Sequence, residues 1–319
     1  MACFNSRDSY LARCNGLKRG YAISEKTGRT VFCEDVTKKD GPFYCPRCRS
    51  TVIVRKCTEK EDHIAHKSRC SPVLTEKDQT LHTECKRTIC NYLSQKYPSG
   101  NWEIERPIEG RPEKGLKRIV PDISGRIDNI PIAIEVQKTA YTLNKIKEKT
   151  EQYYKRRVYV LWIIPLKQDL GEDDFRPRLF EKYLHAMYYG RAYYWTPTKP
   201  NLILPVHFSY SCRYIEPTAF YDEEGEEQSF GGYYLAYKTI KKPNHNGFVD
   251  IATDFVHKER PLFKNSKWEE EIPKCKILLD RMETWWSKNE KEKLIESLSN
   301  ALQDYCDGDD NYDSYDLYE

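Results

Sequence analysis

The apolar positions change period along the chain. Between residues 18 and 56, short runs such as GYAI, RTVFC and STVIVRK alternate apolar and polar residues around turn signals, the spacing of half-buried strands. The turn-rich stretch KKDGPFYCPRC lies between the last two. From 76 to 96 the spacing becomes helical, with Leu81, Cys85, Ile89 and Leu93 on one face and Tyr97-Pro98-Ser99-Gly100 as the stop. Strands are then predicted at 102–107, 119–123 and 130–137, a helix over 142–154, a buried strand in RVYVLWIIP and a helix over 179–189. Helix, three strands, helix, strand is the order of an α/β core on a mixed sheet. After Tyr194 come aromatic strands such as NLILPVHFSYS and GGYYLAYKTI, and 266–303 reads as helical, with Trp285 and Trp286 packing. No internal repeat is visible.

Composition narrows the class. Of the 319 residues, 39% are hydrophobic and 32% charged, and the mean hydropathy is −0.80. The longest apolar run, near Val158–Leu166, falls far short of the roughly 20 residues of a membrane helix. The first residues lack the apolar stretch of a secretion signal, so a cytoplasmic location is expected. In that compartment the 12 cysteines are read as metal ligands where clustered and as buried thiols where scattered. The net charge of +3 resolves into +9 over 1–119, +4 over 120–200 and −10 over 201–319. A basic front suits a polyanionic partner. The last sixteen residues carry seven acidic side chains, no basic ones and four tyrosines, the composition of a disordered tail.

The chemistry centres on IVPDISGRIDNIPIAIEVQKT. Asp122 is expected in one strand and Glu135 in the next, joined by a turn over 124–129, so that the two carboxylates converge. Period-2 geometry puts Glu135 and Gln137 on one face of their strand, with Ile134 and Val136 on the other. Glu135 stands in the apolar run IPIAIEV, where an unpaired charge is unfavourable. Two carboxylates on rigid strands suit Mg²⁺ or Mn²⁺, which would activate a water for phosphodiester hydrolysis. Two exposed strand-end carboxylates would be the plainer explanation of the same spacing.

A second constellation lies upstream. Cys45-Pro-Arg-Cys48 and His63-Ile-Ala-His66 form two close ligand pairs that fit a tetrahedral, structural Zn²⁺, with Cys33, Cys57 or Cys70 as substitutes for one ligand. A buried thiol pair beside two surface histidines is the alternative.

These segments, taken in order, resemble the competence protein CoiA-like family. YCPRC…VIVRK…DHIAHK is similar to its N-terminal signature, with Ile64 for the usual Phe. LHTECK resembles a family helix with His and Lys four apart, here His82 and Lys86. RIVPDI and IAIEVQKT resemble the family's R-x-P-D-[IV] and I-E-x-Q-x-S strands, with Thr139 for Ser. KTEQYYKRRVYVLWII resembles R-T-x-x-Y…V-x-W-I, with Lys149 for the usual Arg. The match runs from about residue 21 to 165.

The resemblance implies a restriction-endonuclease-like, PD-(D/E)XK nuclease core, with Asp122, Glu135 and Gln137 as active-site residues and His82 and Lys86 beside them. Gln137 stands where the commonest version of the motif has Lys, and brings no positive charge. Gln152 and Tyr153 would line a substrate groove. Arg111, Lys114, Lys117 and Arg118 are expected to hold nucleic acid, and Trp102, Tyr153 and Tyr154 suit stacking on a single strand. The expected organisation is a β-rich zinc-binding module over 1–72, the nuclease core over 73–192, a C-terminal α+β extension over 193–303 and the acidic tail over 304–319. The function expected is a metal-dependent deoxyribonuclease acting on single- or double-stranded DNA, in DNA uptake or in defence against foreign DNA, with a protein partner from such a system. The competing reading is a catalytically degenerate nucleic-acid-binding adaptor.

Overall fold

The computed structural model of the chain describes residues 21–45, 51–57, 62–66, 73, 78–138, 142–221, 226–264 and 271–308, with only the backbone at 66, 220, 221 and 302–308. Its contacts form two units. One comprises Met1–Arg69, Tyr210–Lys238 and Lys291–Glu319, the other Cys70–Ser209 and Thr239–Glu290.

In the first unit, β1 (Tyr21–Ser24), β2 (Thr30–Phe32), β3 (Phe43–Tyr44), β4 (Thr51–Arg55) and β5 (His63–His66) make an antiparallel sheet in the order β2-β1-β3-β4-β5. Alternation along β4 buries Val52 and Val54 against Ala22, Phe43, Cys45 and Ile64. Lys56 ties the sheet's ends together: its ammonium donates to the Cys33 carbonyl at 2.7 Å and pairs with Asp62 at 2.8 Å.

The second unit opens with helix α1 (Gln79–Lys96), followed by β6 (Glu103–Ile104), β7 (Ile123–Ile127), β8 (Ile130–Val136), helix α2 (Leu143–Lys155) and β9 (Tyr159–Pro165). Then come helix α3 (Leu179–Met187), β10 (Ala192–Trp195) and β11 (Leu202–Ile215). The sheet is mixed: β6, β7 and β8 pair antiparallel, β8 and β9 parallel, β9 and β10 parallel, β10 and β11 antiparallel. Val160 to Ile164 of β9 are all buried, as expected of a central parallel strand covered on both faces. The rest of the chain returns to the first unit for the hairpin β12 (Thr218–Tyr221) and β13 (Glu227–Phe230) and for helix α4 (Glu290–Gly308), which begins at the unit boundary. Between them come β14 (Tyr233–Asn244), which spans the boundary, and, in the second unit, β15 (Val249–Asp250), β16 (Phe255–Arg260), β17 (Phe263–Lys264), β18 (Glu271–Ile272) and β19 (Cys275–Asp280). The far edge of β9 is shared. β19 pairs beside Val160, and β10 pairs beside Ile164.

The α/β core order agrees with the sequence pattern, but three local expectations do not. The strand expected at 119–123 begins at Ile123, because Pro121 has no N–H for a ladder, and Asp122 sits in the bend before it. The turn expected over 124–129 is only Asp128-Asn129, both with positive φ (49° and 65°), the two-residue hairpin geometry that Asp and Asn tolerate. Ser124-Gly125 looks like turn chemistry but lies within β7, where the missing side chain has a different use. A Cβ on Gly125 would sit 2.3 Å from the Trp102 ring. Gly125→Ala is therefore expected to destabilise the protein by about 1–3 kcal/mol, read as a lowered melting temperature. An unchanged melt would mean that the indole can move aside.

The third correction is the helix expected over 266–303. Among described residues there, β18 and β19 are strands and the helix starts only at Glu290. Pro273 interrupts a helical reading, and Cys275, Ile277 and Leu278 are buried in β19, between β9 and β16. Helix α4 also runs past Asp304, where the disordered tail was expected to begin; 309–319 lie outside the described residues. Trp285 and Trp286 do pack, edge to face at 4.8 Å, and Trp286 stacks on His207 at 4.1 Å. No helix among the described residues is long and apolar enough to cross a membrane.

Candidate active site

The β7–β8 register decides whether the carboxylates meet. Ile123 pairs with Ile134 and Ser124 with Ala133, so extending that register one step into the bend before β7 aligns Asp122 with Glu135. Directly opposed residues of an antiparallel pair point to the same face. The Asp122 side chain accepts the Val136 N–H at 2.9 Å, in keeping with that closeness.

Glu135 is 2% exposed. Helix α2 answers its charge. Lys149 donates to both of its carboxylate oxygens, each at 2.8 Å, and to the Val120 carbonyl at 3.1 Å. Tyr153, one helical turn on, donates its hydroxyl to the same carboxylate. Burial nevertheless dominates and pushes the Glu135 pKa up to about 7, with Asp122's charge adding and Lys149 and Tyr153 opposing.

Helix α1 supplies a second cation. Its apolar stripe of Cys85, Ile89 and Leu93 is buried, which fixes the rotation that brings His82 and Lys86 inward. Lys86 is 5% exposed. Its ammonium lies 2.5 Å from Glu105 and 3.6 Å from Asp122. His82 contacts the Val136 carbonyl at 3.1 Å through Nε2. That carbonyl only accepts, so Nε2 carries the proton. Burial pushes the His82 pKa below its ordinary value, against the pull of Asp122.

Gln137 is also buried, with its backbone N–H on the Ile163 carbonyl at 2.7 Å. Its side-chain amide donates to the neighbouring Lys138 carbonyl. Lys138 points elsewhere, to Gln79 at 3.0 Å.

Two contributors carry no signal in the sequence that marks them as site residues: Glu105 and Lys149. Glu105 follows an exposed two-residue strand and reads as any edge carboxylate. Its φ of 53° is unusual for a residue with a side chain, and its N–H bonds the Asp122 carbonyl at 3.0 Å. In the sequence Lys149 stands only as a replacement for an Arg; helical lysines ordinarily face water.

The four expected nucleic-acid contacts sit on one loop closed by the bridge Ile108–Ile119, with a second bridge, Arg111–Leu116, nearer its tip. Arg111, Lys114, Lys117 and Arg118 are all exposed. Lys117 pairs with Glu148 at 2.5 Å and Arg118 with Glu109 at 3.5 Å. Helix α2 fastens this loop. Gln152 accepts the Lys117 N–H at 2.9 Å, and Arg156 donates to the Lys117 carbonyl and, at 2.7 Å, to Gln152. Gln152 and Tyr153 thus hold the loop and Glu135 rather than lining an open groove. Trp102 is buried and Tyr154 half-buried.

The donor set at Asp122 and Glu135 is chemically suited to a hard cation: two carboxylates with the Val120 carbonyl, all oxygen. Among the described residues no cluster of three or more His, Cys, Asp or Glu side chains forms a metal cage. Such a site would therefore complete its shell with water or phosphate, as Mg²⁺ commonly does. Of the expected zinc ligands, Cys45 is buried and His63 half-buried, with Cys57 Sγ 3.7 Å from His63 Nδ1. Cys48, the substitute Cys70 and the side chain of His66 lie outside the described residues, as does Thr139.

Two family models match the chain: the N-terminal domain of competence protein CoiA over residues 31–72, and its nuclease-like domain over residues 79–211. No curated protein matches it.

Proposed function

The chain belongs to the CoiA-like competence protein family and carries its nuclease-like domain, and from that premise we propose that it is a Mg²⁺- or Mn²⁺-dependent nuclease that hydrolyses phosphodiester bonds in DNA. The observation that carries this reading is the buried Glu135 with Asp122 beside it at the root of the β7–β8 hairpin, and two lysines drawn to them from separate helices. A site built only for stability would bury apolar residues there, since paired buried charges rarely outperform them.

Asp122, Glu135 and the Val120 carbonyl would hold the cation. When bound, it supplies a water of lowered pKa and neutralises charge on the scissile phosphate. The chain's own residues do the rest. Lys86 keeps Asp122 and Glu105 in place, and His82, neutral and anchored on Val136, borders the site without adding charge. Gln137 brings an amide where a lysine is commoner, so positive charge near the phosphate must come from α1 and α2.

The loop from Arg111 to Arg118 would grip the phosphate backbone. Arg111→Ala with Lys114→Ala is expected to weaken DNA binding and to reduce the slope of log affinity against log salt by about 1.8 for duplex, at about 0.9 per contact. An unchanged slope would move the grip elsewhere. Cys45, Cys48, His63 and His66 would bind one structural Zn²⁺, testable as one equivalent of zinc in the purified protein. A cytoplasmic role on incoming DNA, in uptake or in defence, fits this chemistry.

The turned-in amide of Gln137 favours one second reading, a nucleic-acid-binding adaptor without catalysis. A cleavage panel separates the two: plasmid and single- and double-stranded oligonucleotides with Mg²⁺, Mn²⁺ or chelator. Cation-dependent cleavage supports the nuclease. Salt-sensitive binding with no cleavage in any metal supports the adaptor.

A further inference from the structure

We infer that the Lys149 ammonium is a resident counter-ion, seated on both carboxylate oxygens of Glu135 and on the Val120 carbonyl, which a divalent cation must displace in order to bind. This rests on the metal-dependent reading above and specifies how that site is held before the cation arrives.

The geometry around Lys149 Nζ is that of a small cation site. Among the described residues, oxygens lie around it at 2.8, 2.8 and 3.1 Å, two of them from one carboxylate and one from the backbone. Hard divalent cations take the same classes of donor at about 2.0–2.6 Å. The ammonium therefore holds Glu135 and the Val120 carbonyl facing one point, slightly farther apart than a metal would draw them. A divalent ion on Glu135 would lie within a few ångströms of this ammonium, and two positive charges that close in a buried site repel strongly. One must give way.

Of the two lysines, Lys149 is the one that can. Its side chain is 19% exposed, against 7% for Lys86. Lys149 extends from the surface of α2 on a flexible four-carbon stem, so its ammonium can reach water by rotation. Lys86 is anchored by Glu105 at 2.5 Å, and its ammonium is 3.6 Å from Asp122. It can stay while the cation takes Glu135. Tyr153 adds a hydroxyl donor to Glu135, which keeps the carboxylate oriented when the ammonium departs.

The test is calorimetric titration of the full, zinc-loaded chain with Mn²⁺, together with thermal melts with and without Mn²⁺. The proteins compared are wild type, Lys149→Met, Lys149→Arg and Asp122→Asn. Removing the competitor should tighten Mn²⁺ binding to Lys149→Met about tenfold, equivalent to about 1.4 kcal/mol. Its metal-free melting temperature should fall below wild type and recover when Mn²⁺ is added. Lys149→Arg, whose planar fork pairs with both carboxylate oxygens and is harder to expel, should bind Mn²⁺ more weakly than wild type. That opposite sign keeps the test decisive if the Met variant folds poorly. Mn²⁺ binding that is lost in Asp122→Asn yet unimproved in Lys149→Met, or unweakened in Lys149→Arg, overturns the counter-ion and leaves the metal site standing. No Mn²⁺ binding by any of the four proteins overturns both.

Discussion

Alanine at Glu135 or at Asp122 is expected to abolish phosphodiester cleavage, by about a thousandfold or more, while the chain stays folded. Removing a single pre-organised charge-stabilising donor from an active site already costs about a hundred- to a thousandfold, and here the residue removed is one of two carboxylates that would hold the ion. The fold should survive. Glu135→Ala removes the carboxylate from Lys149, but Lys149 keeps the Val120 carbonyl at 3.1 Å and, at 19% exposed, can turn to solvent. Asp122→Ala frees the Val136 N–H and Lys86, though Lys86 keeps Glu105. Plasmid nicking beside circular dichroism reads both quantities. Cleavage at the wild-type rate in both folded variants would end the enzymatic assignment.

In chelator, the wild-type protein should lose stability as the pH climbs from about 4.5 to about 7, and the Glu135→Gln protein should lack that component. Burial raises the folded-state pKa of Glu135 from its ordinary 4.5 to about 7, Asp122's charge adding to the effect. Below 4.5 the carboxyl is protonated whether the chain is folded or not, and contributes nothing. Between the two values the unfolded chain gives up the proton more readily, so unfolding is increasingly favoured. Above about 7 the penalty is complete, about 3 kcal/mol at about 1.4 kcal/mol per pH unit. The sign is opposite to that of a salt-bridged surface carboxylate, which stabilises as it ionises. Urea denaturation at intervals from about pH 4 to about pH 8 measures it. Parallel curves for wild type and Glu135→Gln would show that the carboxylate is better solvated than its surroundings suggest.

The sequence made the alternating frame legible because local and tertiary preferences agree there. IPIAIEV can only be a strand with Glu135 facing the same way as Gln137, and the stripe on α1 fixes the direction of His82 and Lys86. What stayed hidden depended on distant packing. Gly125 looks like a turn until Trp102 is known to lie over it. The strand Cys275–Asp280 sits among helix-forming lysines and glutamates, and only the company of β9 and β16 makes it extended. Lys149 was invisible for a related reason. Helical periodicity places it beside the buried face of Ile146, Thr150 and Tyr153, but nothing local says that a carboxylate lies beneath. Glu105 needed the left-handed backbone that brings it to Lys86.

The cationic loop also joins the two acidic residues it lies between. It departs after Glu105 and returns at Asp122, and the Glu105 N–H bonds the Asp122 carbonyl at 3.0 Å. Because that closure is made at the root, the intervening segment can grow or shrink without moving either carboxylate. Doubling the length of a flexible closed segment raises its entropic penalty by only about 0.6 kcal/mol. Relatives could then acquire longer or differently charged loops by insertion at this one place, while the paired carboxylates at its root stay as they are.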